Sequence, residues 1–226
     1  MTAVDAPAAP IALPRVSAGL YDHLSPAERY IHRTRDGALL ALLRRRGVDS
    51  LAGLRVLEPG CGEGSFLRTL LSHGAEPRLT DGLDLRAGRV AAARRLAPGA
   101  RLSAADGAAL PYRSDVFDFV FAFTFFSSVT GPAPRRRAAT EALRVLRPGG
   151  LLVVYDFWIN PTNTRVRALG AAELRLLVAP QPVEIERVTL APPIVRALGG
   201  RSALCRALER MPLLRTHLLA AVTKER

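Results

Sequence analysis

An α/β fold, built on a doubly wound, mostly parallel sheet of seven strands, is what this sequence predicts from three observations. Short apolar runs alternate with segments of helical periodicity along most of the chain. Several of those runs are apolar at every position, the pattern of strands covered by helices on both faces. A glycine-rich turn, Gly60-Cys61-Gly62-Glu63-Gly64, follows the first run and opens a helix, the arrangement that places a ligand at the edge of such a sheet.

The elements follow in order. Residues 25–46 read as a helix: Ser25-Pro26 with Glu28 is a start signal, Leu39, Leu42 and Leu43 share a face, and Gly47 ends it. Residues 55–58 form the first strand. The helix after the glycine turn carries Phe66, Leu67, Leu70 and Leu71 and stops near Gly74. A strand over 79–85, a helix over 87–96 closed by Pro98-Gly99, and a strand over 101–105 repeat the unit. The aromatic run 117–125 is the fourth strand. Ala139, Ala142, Leu143 and Leu146 stand at i, i+3, i+4 and i+7, a helical stripe ahead of Pro148-Gly149-Gly150, and 151–157 is a fifth buried strand. Residues 183–190 and 217–223 supply the last two strands, with a helical insertion over 192–211 between them. Residues 1–14, rich in Ala and Pro, read as a disordered tail, 15–50 as an N-terminal helical lid, and 51–226 as the sheet domain.

Composition narrows the class further. A chain of 226 residues that is 49% hydrophobic and 23% charged has the means to bury a core without disulfides or metal. No apolar run reaches the length of a membrane span, and the N-terminus lacks the basic start and sustained apolar core of a secretory signal. Cys61 and Cys205 are too few for a disulfide framework and belong to no metal-type cluster, so a reducing cytoplasm is the expected compartment and no metal site is expected. Of 32 basic residues only Lys224 is a lysine, and the net charge is +12. The runs Arg44-Arg45-Arg46 and Arg135-Arg136-Arg137 fall near helix ends, where such side chains are ordinarily solvated. The charge permits weak attraction to polyanions without defining a nucleic-acid site.

Three acidic positions at successive strand ends carry the chemistry. The glycines read G-x-G-x-G, not the G-x-G-x-x-G of a pyrophosphate turn, and Glu58 stands two residues before the first. A carboxylate there repels a pyrophosphate and favours a ligand with an ammonium group. Asp84, at the end of the next strand, is placed to accept both hydroxyls of a ribose, while Asp81 reads as a turn residue. Asp106, in Ala105-Asp106-Gly107 after the third strand, can accept a hydrogen bond from an exocyclic amine.

Taken in order, these stretches resemble the class I, Rossmann-like S-adenosylmethionine-dependent methyltransferases, in particular the small-molecule enzymes. The similarity lies in Val56-Leu57-Glu58-Pro59-Gly60-Cys61-Gly62-Glu63-Gly64, Gly82-Leu83-Asp84-Leu85, residues 105–111, Phe117-Asp118-Phe119-Val120 and residues 144–153; it covers about residues 51–160 strongly and the flanks loosely. The resemblance implies an antiparallel last strand and S-adenosylmethionine as cofactor, with S-adenosylhomocysteine as product. It further implies that Glu58, Gly60 and Gly62 line the methionine end, Asp84 holds the ribose, Leu85 packs on the adenine, and Asp106 with Gly107 meets its amino group. Phe123 and Thr124 would border the methyl donor. Cys61 is expected in the turn as a small residue, not a nucleophile. Tyr21 and Tyr30 are expected either to contact the cofactor or to pack the N-terminal helices over it.

The acceptor is left open by the motifs. Asp156, at the end of the fifth strand, is the expected base if one is needed, with Tyr155, Tyr21, Tyr30, His23 and His32 as further candidates. His217 reads as a structural histidine. The lid helix and the insertion, with Ile194, Val195, Leu198, Leu204, Leu208, Met211, Leu213 and Leu214, would form the pocket of a small, hydrophobic or natural-product-like acceptor. Two alternatives remain: a nucleic-acid methyltransferase, against which the run Phe123-Thr124-Phe125-Phe126 lacks the Pro-Pro-aromatic element of adenine-amino enzymes, and a cofactor-binding protein without catalysis. A nicotinamide oxidoreductase is disfavoured by the glycine spacing and by Glu58.

Overall fold

Apolar strands without a polar face must be covered on both sides, and the chain does this with helices. The structure, a computed structural model, describes residues 25–160 and 166–225. The expected tail, the start of the lid, and Tyr21 and His23 lie outside the described residues. In chain order the elements are α1 (Pro26–Arg45), β1 (Val56–Pro59), α2 (Ser65–Ser72), β2 (Thr80–Asp84), α3 (Ala87–Leu96), β3 (Arg101–Ala104), β4 (Phe117–Phe123), α4 (Pro132–Val145), β5 (Leu146–Phe157), α5 (Ala171–Val178), β6 (Val183–Leu190), α6 (Pro192–Ala197), α7 (Ser202–Glu209) and β7 (Arg215–Thr223).

The seven strands form one sheet in the order β3-β2-β1-β4-β5-β7-β6. The pairs β1–β2, β1–β4, β2–β3 and β4–β5 are parallel, whereas β7 runs antiparallel to both β5 and β6. The switch at β1 sends the chain outward to β3 and then back across to β4, so the carboxyl ends of β1, β2 and β4 meet at one edge, the ligand edge of a doubly wound sheet. One face of the sheet is covered by α4 and α5, through Ala138, Ala139, Ala142, Leu174 and Val178 packed on Phe117, Val120 and Leu152. The other carries α1 and α2, through Leu39, Leu42, Phe66 and Leu70 on Phe119, Phe121 and Val153.

Three sequence expectations are corrected here, and one helix is added. Leu146 does not belong to the helical stripe: α4 ends at Val145, and Leu146 is fully buried as the first residue of a 12-residue β5, paired with Phe117. Pro148 disfavours helix at the preceding residue, and Leu146 gains more from the sheet core than from a frayed helical turn. Helix α5 was not expected; its apolar residues run all round the helix, so that Leu174 and Val178 are buried while Leu176 is exposed, and no stripe announces it. Arg135 is not solvated but fully buried, donating to the Arg167 and Ala168 carbonyls and to Glu173 Oε1. Asp81 is no turn residue: it lies within β2, buried, and accepts two hydrogen bonds from the Arg101 guanidinium. In the other basic run, Arg45 and Arg46 pair with Glu184 and Glu186 of β6.

Candidate functional site

The site is built at the carboxyl edge, starting from the turn after β1. Gly60 has φ +72°, a left-handed backbone that favours glycine, and a methyl group added there would stand 2.8 Å from Phe125 Cδ2. The turn is pinned to β2 by Cys61 N–H, which donates to the Leu83 carbonyl at 2.8 Å, and by Gly62 N–H, which donates to Asp84 Oδ2 at 3.2 Å. Asp84 Oδ1 accepts from Arg86 N–H at 2.9 Å, and Arg89 Nη1 lies 3.7 Å from Oδ2. Asp84, buried at the carboxyl end of β2, therefore organises the turn.

Glu58 sits beneath this turn, buried, and its Oε2 has no hydrogen-bond partner. Burial pushes its carboxyl up to about 8; the Arg35 guanidinium opposes that shift and Asp84 adds to it. Cys61 is buried, and burial together with the Glu58 and Asp84 carboxylates raises its thiol, which keeps it protonated and unreactive. Leu85, immediately after β2, is 74% exposed, an aliphatic side chain standing open at the ligand edge.

On the β3 side, Asp106 is exposed and its Oδ1 accepts from Ala108 N–H at 2.8 Å. Gly107 is buried, and a Cβ there would stand 2.5 Å from Phe125 Cζ. The Phe125 ring thus lies across the crevice from the glycine turn to the β3 loop. Sequence reasoning placed Phe125 inside a strand; the strand ends at Phe123, where Thr124 takes φ +49° and donates its N–H to the Tyr155 carbonyl. A β-branched residue in the left-handed region is a strained backbone position, and it is what redirects Phe125 into the crevice. An open groove of about 570 Å³ lies elsewhere, along α4 between Ala108, Arg136, Arg137 and Glu141, and includes no residue of the glycine turn.

Beyond β4, aromatic rings form a row. Phe66 stacks on Phe123 with centroids 3.7 Å apart, Phe123 on Tyr155 at 5.3 Å, and Tyr155 on His217 at 4.7 Å, with Phe157 beyond. The Arg35 guanidinium of α1 stands over the first two rings, 5.3 Å from Phe66 and 5.9 Å from Phe123. Its nearest polar partner is Asp36. Neither Arg35 nor the row was singled out from the sequence, because an ionic pair inside an amphipathic helix gives no local sign of what it faces. His217 is buried and held neutral: burial and the Arg35 charge push its imidazole down to about 3.

The expected base, Asp156, lies inside the fold. Asp156 is fully buried, and its two oxygens accept the main-chain N–H groups of Ser127 and Phe157, each at 2.9 Å. Burial raises its carboxyl to about 6 against these hydrogen bonds and the Arg135 charge. It braces the loop after β4 on the end of β5 and shows no face to an acceptor. Tyr155 is likewise engaged, hydrogen-bonded with Thr189 Oγ1 and raised by burial. Tyr30 does not join the glycine turn: it is buried with Ala27, Ile31, Val195 and Cys205, and its hydroxyl donates to Glu209 Oε2 at 2.7 Å. His32 is half-buried on α1.

The fold is Rossmann-like, and its carboxyl edge carries a glycine turn and acidic strand ends. Residues 57–154 match the Methyltransf_11 family model, a methyltransferase domain. The demethylmenaquinone methyltransferase of Beutenbergia cavernae is 33% identical over 154 residues, 66% of this chain and 60% of that protein. The chain spans 44–60% of the length of three curated demethylmenaquinone methyltransferases to which it is similar. The same fold is found in the [4+2]-cyclase SpnF, with TM-score 0.61 and 21% identity over 85% of this chain and 82% of that one. It recurs in Haemonchus contortus phosphoethanolamine N-methyltransferase 2 in complex with S-adenosyl-L-methionine, with TM-score 0.61 and 16% identity over 84% of this chain and 53% of that one. Residues 57–154 thus carry a methyltransferase domain, and the sheet with its antiparallel last strand is the fold of the class I, Rossmann-like S-adenosylmethionine-dependent methyltransferases, to which the chain is similar.

Proposed function

We propose that this protein transfers a methyl group from S-adenosylmethionine to a small, largely apolar acceptor by in-line displacement, releasing S-adenosylhomocysteine. The observation that carries the reading is the buried Glu58 carboxyl, whose Oε2 has no partner beneath a glycine turn. An orphaned buried acceptor is costly, and a ligand ammonium group removes that cost. Gly60 and Gly62 add no side chain of their own above Glu58, and the ring that lies against Gly60 is that of Phe125. Asp84 is the group to hold the ribose hydroxyls, Leu85 offers an open apolar surface to the adenine, and Asp106 with Gly107 stands by its amino group. Phe123 and Thr124 border the position of the reacting methyl.

When bound, the cofactor supplies an electrophilic sulfonium methyl. The chain's own part is alignment, which can account for about 7–11 kcal/mol of a barrier. Asp156, Tyr155 and His217 are buried and already engaged, so the proposed mechanism rests on positioning and not on one of them as base. Helix α1 and the insertion over 192–211 act as lid and acceptor wall. Half-buried Ile194, Leu198 and Leu208 of the insertion, with Leu214 just after it, suit an apolar acceptor, as does the name of the demethylmenaquinone relatives.

Calorimetric titration with S-adenosylhomocysteine, using NAD as control, tests the reading. Micromolar binding of the first alone supports it, and binding of NAD alone sinks it. Transfer of labelled methyl from S-adenosylmethionine to a quinol-type or polyketide-type phenol, but not to RNA, separates the small-molecule reading from its nucleic-acid rival.

A further inference from the structure

Helix α7 and the turn after it present a two-sided surface. Cys205 points inward and is buried, and Glu209 is half-buried against Tyr30. On the opposite arc, helical spacing aligns Ala203, Leu204, Ala207 and Met211 in one exposed apolar stripe, with Arg206 and Arg210, four apart, along its flank. Leu204 is 45% exposed, Met211 51%, and Leu213, two residues further on, 79%. The arc carries no acidic residue and no aromatic one.

We propose that this face docks the protein on an anionic lipid surface. Aliphatic side chains flanked by arginines are the composition of an interfacial helix: the apolar tips enter the boundary of the acyl region, and the guanidinium groups stay with the lipid phosphates. A net charge of +12 adds longer-range attraction to such a surface. A second copy is a poor occupant, because a two-fold contact would set Arg206 and Arg210 against their own like charges. A protein partner is poorly matched by a patch without an aromatic anchor, and nucleic acid has no use for Leu204, Met211 and Leu213.

Topology gives the docking a direction. Since β6 pairs antiparallel with β7, and β7 with β5, β6 runs with β5, and the insertion leaves it at the same edge as the crevice. Docking through α7 turns that edge toward the lipid, the side from which an apolar acceptor would enter. The acceptor clause rests on the proposed function; the docking does not.

The test is flotation of the full chain with vesicles of equal parts phosphatidylcholine and phosphatidylglycerol, without cofactor, over a range of salt. The expected result is binding that falls with salt, is weakened at least about ten-fold in a Met211→Ser, Leu213→Ser variant, and is weakened several-fold in an Arg206→Gln, Arg210→Gln variant. All four positions are exposed, and unchanged melting of the variants checks that the fold is intact. No flotation overturns the proposal. Flotation equal in all three proteins also overturns it, since net charge alone would then account for binding. A drop in sedimentation mass on replacing Met211 and Leu213 overturns it in favour of self-association. S-adenosylhomocysteine titration of the same proteins reports separately on the methyltransferase reading.

Discussion

The two sides of the carboxyl edge are assembled in opposite ways. On the β1–β2–β3 side every candidate contact comes from within a few residues of a strand end, and much of it is main chain: the Gly60 turn, the Cys61 and Gly62 N–H groups, the Asp106 loop. On the β5–β7–β6 side the contacts join distant parts of the chain. Tyr30 reaches Glu209, 179 positions away, Arg196 reaches Glu28 across 168, and Tyr155 meets Thr189. A common cofactor can be held by a short local code. The proposed acceptor wall would depend on side chains that only the fold brings together.

Four variants break or sharpen this contrast. Phe125→Ala has the largest expected effect: removing a buried ring costs about 3–5 kcal/mol of stability. Because that ring spans Gly60 and Gly107, the variant should bind S-adenosylhomocysteine more tightly, since less of the population is closed to ligand. Weaker binding in calorimetry would show that the ring contacts the ligand instead.

Glu58→Gln comes next. The carboxyl is raised from 4.5 to about 8, so the native state favours its protonated form. The stability tied to that form is complete below the ordinary carboxylate range and is lost as pH rises toward about 8. The glutamine variant should therefore melt in urea like the parent at acid pH and be more stable near neutrality, by on the order of 3 kcal/mol. It should also lose cofactor affinity, and with it the proton release that the parent shows on binding in buffers of different ionisation enthalpy. Equal urea midpoints at both pH values would mean that Glu58 is ionised in the free protein.

Asp84→Ala should weaken S-adenosylhomocysteine binding by roughly 1.5–3 kcal/mol, the range for hydrogen bonds to a charged group. Unchanged affinity would place the ribose elsewhere. The smallest effect is expected for Tyr30→Phe, about 1.5 kcal/mol of stability, because Glu209 keeps the Leu190 N–H when it loses the hydroxyl. Its cofactor affinity should not change. A weaker dissociation constant in this variant would carry the contrast between the two sides away, since Tyr30 would then serve both.

The legible part of the candidate site follows the same division. Glu58, Gly60, Asp84, Leu85 and Asp106 each sit at a strand end that hydrophobic runs locate, and parallel pairing brings such ends to one edge whatever the details of packing. Phe125 was hidden because the left-handed turn at Thr124 ends β4 two residues earlier than its aromatic run implies. Asp156 stands at the strand end where it was expected, yet its carboxylate turns inward to Ser127. Strand position sets where a side chain starts, not which donor it meets.

Hydrophobic periodicity therefore determined the α/β class, the order of seven strands along the chain and the insertion over 192–211, and glycine spacing the turn after β1, because each depends on neighbours within one or two turns of chain. Only the tertiary structure decided that Arg135 is buried, that Arg35 stands over Phe66 and Phe123, that Tyr30 of α1 bonds to Glu209 of α7, and that Leu204, Met211 and Leu213 are left facing outward. Those outcomes depend on what lies across the sheet, and no local pattern carries the identity of a partner a hundred residues away.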